Sequence, residues 1–348
     1  MPRLKAEYLR RLCTEIFKKV GASDEEATTV SDNLVEANLK GHDSHGVILL
    51  PSYVSRIKQG LYKPGAKTAL LLETASMALI DGNWGFGQVI AKKAMEIAIA
   101  KAKKTGISYV GIRHSNHIGR LGYYAKMALE QDILAIIIAN SGGPVAPYGG
   151  KSPIMGTNPI CVAVPTGRLP SFILDMATSV VAGGKVHDRR ERGERVPEDW
   201  LIDREGMATT DPNTYGPGGG MLQTLGGSVA YKGFGLSLVA DILGGVLTGA
   251  GITVSKERRP GSNGTSIICI DVNQITPVEV FKHKTLELID IMKKSELRPG
   301  FTEILVPGEP SSRREEERLE KGIEIPENLW KKIDEITTQL GIDTGKQG

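Results

Sequence analysis

Cysteine is scarce in this chain: Cys13, Cys161 and Cys269 are the only three in 348 residues, odd in number and far apart. They form no CxxC pair and no even-numbered set for a secreted disulfide framework, and a reducing, cytoplasmic setting is the expectation. Long apolar runs are missing as well. None approaches the roughly 20 residues that span a bilayer, and the opening Met-Pro-Arg-Leu-Lys continues as an amphipathic pattern instead of the apolar stretch of a signal peptide. Nor is there an excess of charge of one sign. The 43 basic and 40 acidic residues leave a formal net charge of +3, spread along the whole length. No long-range field is built for nucleic acid or anionic lipid, and both are excluded as partners. The densest charge runs, 188–195 and 313–321, mix signs and read as solvated helix faces.

The usual nucleotide and hydrolase fingerprints are also absent. Gly82-Asn83-Trp84-Gly85-Phe86-Gly87 reverses the GxGxxG spacing, and Gly233-Phe234-Gly235 lacks the third small residue, so a Rossmann unit is not expected. There is no P-loop and no GxSxG, which removes sequence support for phosphoryl transfer and for α/β-hydrolase chemistry.

What is present is enough chain, 40% of it hydrophobic, to bury a large core. Leu4, Tyr8, Leu12, Ile16 and Val20 recur every fourth residue and mark a helix closed by Gly21. Ser23 with Glu26 makes a capping box that opens a second helix running to about Lys40, with Gly41 suited to its left-handed end. A third helix is expected over 50–59. From residue 77 short apolar runs alternate with helical patterns: strands at 77–80, 108–112, 133–139, 160–165, 172–175, 200–203, 266–271 and 303–306. Helices are expected at 87–104, 119–131, 178–192, 234–247, 277–294 and 326–341. This alternation is an α/β pattern. The glycine-rich stretches 141–150, 216–227 and 244–251 read as loops, the middle one a candidate lid.

Chemistry concentrates in a few places. His45 stands in Gly41-His42-Asp43-Ser44-His45-Gly46, an imidazole beside a hydroxyl and a carboxylate at a helix-to-helix corner, and imidazole both gives and takes protons near neutrality. In Arg113 to Arg120 a strand feeds a helix whose N-terminal amides, with Gly119 and Arg120, suit a diphosphate; helix capping by Ser115 and Asn116 explains part of the same pattern. Asp175 closes a strand where α/β enzymes hold ribose hydroxyls, although a capping role would place it there too. Lys232 precedes a helix too apolar to be exposed, a cation working against the helix dipole. His42/His45 and His114/His117 are pairs spaced by three. Neither lies mid-helix as in HExxH, so no metal is expected, and a zinc shell would need some of Asp43, Asp175 and His187.

Taken together, GHDSHG at 41–46, Phe86-Gly87-Gln88, SNHIGRLGYYA at 115–125, GTNP at 156–159, DMATS at 175–179, TTDP at 209–212, YKGFGLSL at 231–238 and Pro307-Gly308-Glu309 resemble the malate/L-lactate dehydrogenase family of the second type. That family also includes L-sulfolactate, ureidoglycolate and diketogulonate dehydrogenases and cyclic-imine reductases. The resemblance spans nearly the whole chain. It implies an α/β fold with a family-specific mixed β-sheet, not a Rossmann domain, and a helical domain formed by both termini, residues 1–75 with 310–348, beside a cofactor- and substrate-binding region at 76–309. It further implies an NAD- or NADP-dependent 2-hydroxyacid dehydrogenase, working as a homodimer with the cofactor near the subunit boundary. By the same resemblance His45 is the proton donor, supported by Ser44. His117, Ile118, Gly119, Arg120, Leu121, Asp175, Met176, Ala177, Lys232, Gly233, Pro307, Gly308 and Glu309 line the cofactor, and Asn158 approaches nicotinamide or substrate.

Two departures bear on the substrate. Many relatives carry an arginine where this chain has Leu49, and Arg56, two turns along the same helix, is the candidate substitute for a carboxylate clamp. Lys185 stands where the imine-reducing branch has an acidic residue, which argues against imines. The competing expectations are a metal-dependent hydrolase built on His42, His45, His114 and His117, and a catalytically silent scaffold.

Overall fold

The four-residue spacing near the start produces a helix, but Leu4 itself belongs to a short strand that ties the two ends of the chain together. The computed structural model describes residues 1–216, 218–256 and 258–343, with the backbone alone of Glu191. The chain runs β1 (Arg3–Leu4), α1 (Ala6–Lys19), α2 (Asp24–Leu39), α3 (Leu50–Lys58), β2 (Ala69–Glu73), β3 (Met77–Asp81), α4 (Gly87–Thr105), β4 (Ile107–Asn116), α5 (Leu121–Leu129) and β5 (Ile133–Asn140). It continues with β6 (Ile160–Val164), β7 (Phe172–Met176), α6 (Gly183–Glu191), β8 (Leu201–Ile202), β9 (Ala208–Thr209), β10 (Met221–Leu222) and α7 (Tyr231–Asp241). The last elements are β11 (Ser262–Asp271), α8 (Val278–Lys293), α9 (Glu309–Lys321), β12 (Ile323–Glu324) and α10 (Glu327–Leu340).

Seven strands form a mixed sheet in the order β2-β3-β4-β11-β5-β6-β7. Only β3 and β4 run parallel, joined through α4; every other neighbouring pair is antiparallel. Alternate residues such as Val110, Ile112, Ala135, Ile137, Cys161, Ala163, Ile267 and Cys269 turn to one face and are buried against α4 and α5. A strand's period of two dictates this sidedness. β1 pairs with β12, and side chains of α1, α2, α3 and α10, among them Ile16, Phe17, Leu34, Leu50 and Ile333, share a second apolar cluster. A smaller cluster around Val145, Val186, Leu201 and Leu222 accompanies the three-stranded sheet β10-β8-β9.

The capping box is formed: Ser23 Oγ accepts from the Glu26 amide at 3.2 Å, and Glu26 returns a carboxylate to the Ser23 amide at 2.9 Å. Three expectations change. No strand forms at 303–306, where the Val306 amide donates instead to the carboxylate of Glu309. The helix expected from Thr178 starts only at Gly183. Thr178 and Val180 donate their amides to the carbonyls of Thr157 and Gln223, and Thr178 Oγ1 donates to that of Asn158, so distant loops take the backbone groups a helix would use; only the bond from Ser179 Oγ to the Val181 carbonyl is local. The helix expected over 234–247 starts earlier, at Tyr231, and passes into a π-helical turn at Ile242–Val246. There Gly244 and Gly245 press so closely on Asn140 that a Cβ on either would lie 2.4–2.6 Å from it.

Replacing Ser23 with alanine removes one half of the capping box and should cost about 1 kcal/mol of stability. Denaturant unfolding of the two proteins measures it; an unchanged midpoint would mean that packing alone holds the start of α2.

Candidate active site

Two backbone requirements fix the corner that follows α2. Gly41 has φ +78°, and a Cβ on Gly46 would lie 2.2 Å from Asn38 Oδ1. Asn38 closes the corner by accepting from the Val47 amide at 2.8 Å and donating to Asp43 Oδ1 at 2.6 Å. Arg318 of α9 adds a two-pronged ion pair to Asp43 at 2.6 and 2.9 Å. Asp43 is therefore spent on architecture, and Ser44 is the neighbour that meets His45, Oγ to Nδ1, at 2.9 Å.

His45 stacks on His117, with ring centroids 5.8 Å apart and planes 28° from parallel. Behind His117 the Tyr53 hydroxyl lies 2.6 Å from Nδ1, and the Gln88 amide donates to that hydroxyl at 3.0 Å. With its oxygen accepting from Gln88, Tyr53 can donate its proton to Nδ1, the arrangement in which the neutral His117 ring carries its own proton on Nε2. Nothing in the spacing of the sequence brought Tyr53 into this chain of contacts.

His45 and Ser44 lie on the wall of a cleft of about 830 Å³ that is also lined by Gly119, Arg120, Leu121, Asp175, Met176 and Ala177. A second space of about 550 Å³ shares His42, Arg120 and Asp175 with it and reaches Pro307 and Gly308. Segments far apart in sequence thus meet around one imidazole. Gly119 has φ +75°, and a Cβ there would lie 2.1 Å from Asn33 Oδ1. Ile118 is buried, its amide donating to Asn263.

The diphosphate expectation at the start of α5 changes. Arg120 is 6% exposed and donates to both oxygens of Glu36 at 2.8 Å, with Asp175 Oδ2 3.6 Å away. Asp175 Oδ2 also accepts from the Gly122 amide at 2.8 Å. The protein's own carboxylates thus occupy Arg120 and one of the helix-start amides that were expected to attract an anion. Glu309 is likewise engaged, accepting from Lys293 and the Val306 amide. Asn158 uses both side-chain atoms internally, accepting from the Ser141 amide and donating to Ser237, while its neighbours Thr157 and Pro159 line the cleft. Arg56 turns to the carbonyl of Pro260 and does not line the cleft, so the arginine proposed as carboxylate clamp is otherwise occupied.

Lys232 sits in the first turn of α7, exposed, its ammonium 6.0 Å from the Tyr231 ring centre. Gly233 passes against Leu225, a cleft residue, so closely that a Cβ would be 2.1 Å from its carbonyl oxygen. The helix expected to be too apolar for exposure is exposed, Leu236, Leu238 and Val239 at 43–46%. The histidine pairs do not converge as a metal shell. His114 turns to Asp81 at 2.9 Å and His42 to Ser311 at 3.1 Å, and among the described residues no group of three His, Cys, Asp or Glu is placed to hold an ion.

Burial favours the neutral form of His42, His45 and His117. Burial, with Arg120 and His45 adding to it, lowers the pKa of His42 to about 3. Burial, then His45 and Arg56, lowers that of His117 to about 3. His45 is lowered chiefly by burial, with Asp175 pulling it up and Arg120 pushing it down.

A family profile described as malate/L-lactate dehydrogenase matches residues 4–334. The chain belongs to that family. It is 40% identical to malate dehydrogenase of Pyrococcus abyssi over 98% of this chain and 95% of that one. It is 39% identical to L-sulfolactate dehydrogenase of Methanocaldococcus jannaschii over 98% of each. Among solved structures, malate dehydrogenase of Pyrococcus horikoshii superposes with a TM-score of 0.88 at 38% identity, covering 98% and 96% of the two chains. Membership in the malate/L-lactate dehydrogenase family accounts for a mixed sheet without the Rossmann glycines and sets aside the hydrolase reading.

Because His42 and His117 have lower pKa values folded than the roughly 6.5 of free imidazole, the unfolded chain takes up protons first on acidification. Their contribution to stability is complete above about pH 6.5 and is lost as pH falls toward 3. Melting temperatures should therefore drop between about pH 6.5 and 5, and His42→Asn should flatten that slope; equal slopes would mean that His42 titrates normally in the fold.

Proposed function

We propose that the protein interconverts a 2-hydroxy acid and a 2-oxo acid, malate/oxaloacetate or lactate/pyruvate being the representative pair, with His45 as general acid and base and NAD or NADP as cofactor. The observation that carries this reading is the position of His45 on the wall of a cleft shared with residues 119–121 and 175–177. Family membership implies a nicotinamide cofactor, and the cleft has room for one: the two adjoining spaces, about 830 and 550 Å³, are of ligand-pocket size. Of the residues the resemblance names, 119–121, 175–177, Pro307 and Gly308 line these spaces and would hold it, with Gly233 packed behind the wall residue Leu225.

When bound, a reduced nicotinamide supplies hydride to C2 of the oxo acid. The chain's own part is proton transfer and orientation. Ser44 holds Nδ1 of His45, which leaves Nε2 to meet the substrate oxygen and protonate it as negative charge develops. In the reverse direction the neutral ring accepts that proton, a state its lowered pKa favours at neutrality. The half-buried cleft strengthens each of these bonds relative to water.

We also read the protein as a homodimer in a reducing, cytoplasmic setting. The three cysteines are buried free thiols, and no described helix is long and apolar enough to cross a membrane. Residues 1–75 with 310–348 would form the helical unit and 76–309 the binding region. Exposed apolar side chains that a second copy would cover gather on α7, the π-turn and α8: Ile242, Val246 and Leu247 are 52–57% exposed, and Leu288, Ile291 and Met292 similarly so. Sedimentation would read a dimer; a monomer at micromolar concentration would remove this part.

His45→Ala should lower turnover of a 2-oxo acid by roughly two to four orders of magnitude while NADH or NADPH binding, read by fluorescence, persists. Near-normal turnover would take His45 out of its role. Oxidation should lose kcat/KM on the acid side, where His45 becomes protonated, and reduction should gain there. A reduction profile flat from about pH 7.5 to 5.5 would exclude His45 as the group that titrates.

A further inference from the structure

The cleft beside His45 is lined by several charged side chains, and nearly all of them are already paired. Arg120 is held by Glu36, Arg189 by Glu194, and Arg192 by Asp188 at 3.0 Å. Asp43 is held by Arg318, and Asp175 by Arg120 and the Gly122 amide. Lys185 lines the same cleft, is exposed, and has no ion pair or side-chain hydrogen bond among the described residues. It is the cleft's one uncompensated cation among them.

Its place in the fold makes that charge informative. Lys185 stands in the first turn of α6, a helix with no side-chain cap and no acidic residue in that turn. A cation there opposes the helix dipole, so helix stability does not account for a lysine at this position. The turn is pressed onto the catalytic corner: a Cβ on Gly184 would lie 2.2 Å from Cβ of Ser44, the residue that holds His45. The ammonium is near enough for its charge to act on His42, three residues before His45. Both line the cleft, His45 half buried and Lys185 exposed, so a carbonyl bonded to His45 would lie deeper than the ammonium.

We infer that Lys185 is a specificity-determining residue that takes the second acidic group of the substrate, the one remote from C2, and so selects dianionic 2-oxo acids. This rests on the 2-oxo acid reductase reading above. The C1 carboxylate is one bond from the reacting carbon and stays beside His45, whereas a carboxylate or sulfonate two carbons farther along extends toward the mouth, where Lys185 waits. A free ammonium is a compact point charge suited to either group, and being unpaired it breaks no internal bond when it binds.

The test compares wild type, Lys185→Met and Lys185→Arg with oxaloacetate and pyruvate under both reduced cofactors. Methionine keeps the length of the side chain and removes the charge at an exposed position. The expected result is a KM for oxaloacetate raised about ten- to a hundredfold, the loss of one charged hydrogen bond, with kcat little changed. KM for pyruvate and for the cofactor should stay the same, and arginine should restore most of the oxaloacetate affinity. An equal rise for both acids, a rise confined to the cofactor, or no change for either would overturn the assignment while leaving the dehydrogenase reading intact. If wild-type protein reduced neither these acids nor any other 2-oxo acid, with either cofactor, the underlying reading would fail first, and the variants would not be needed to show it.

Discussion

A guanidinium buried between two carboxylates joins the parts of this protein that the site requires. Arg120 leads into α5, Glu36 comes from α2, and Asp175 from the end of β7. Burial alone would discourage the arginine's charge, but Glu36 and Asp175 more than offset it, and its pKa is raised. Removing one member of such a group strands an unpaired charge, which typically costs about 3–5 kcal/mol. The helical layer and the sheet are thus held in one relation, and both clefts open along this line of contact. Asp175 and Arg120 also act in opposite senses on His45, so the structural tie is at the same time part of the electrostatic setting of that imidazole.

The corner at 41–46 works by exclusion as much as by contact. Gly46 leaves room for Asn38, Asn38 and Arg318 take up Asp43, and the serine is left as the partner of His45. A carboxylate on the ring nitrogen would raise the imidazole's pKa and favour its cation; a hydroxyl orients the ring without adding charge. The stacked His117, itself kept neutral, extends this logic. The site is therefore an array of uncharged rings whose proton affinity the bound acid can adjust.

Much of this is legible in the sequence. Ser23 with Glu26 forms the capping box its spacing predicts, the three helices before residue 60 lie where their apolar period puts them, and strands 77–81, 133–140 and 172–176 follow their apolar runs closely. The misses share a cause. At 178–182 the backbone pairs with residues 157 and 223–225, and at 303–306 the Val306 amide is taken by the Glu309 carboxylate; neither kind of bond leaves a periodicity in the sequence. The pairing of Arg120 with Glu36 was not legible either, because 84 residues separate them and a buried glutamate on a helix looks like any other until its partner is known. For the same reason Arg120 reads in the sequence as a free anion-binding group, and nothing there singles out Tyr53.

The topology explains how a sheet that is mostly antiparallel still presents a nucleotide-enzyme kind of edge. β3 runs parallel to β4; from β4, two antiparallel steps through β11 reach β5, and two more through β6 reach β7. An even number of reversals restores direction, so β3, β4, β5 and β7 all end on the same side. Their exits are 82–86, 117–121, 141 onward and 177–179, which include the segments that line the cleft. In open α/β sheets, ligands gather outside the carboxyl ends of strands because loops and helix starts converge there. Here that convergence is reached by parity instead of by parallel pairing, and the phosphate-binding glycines of a Rossmann turn are not needed to produce it. The corner after α2 supplies the remaining ingredient, an imidazole brought to that edge by the Glu36 to Arg120 tie rather than by the sheet.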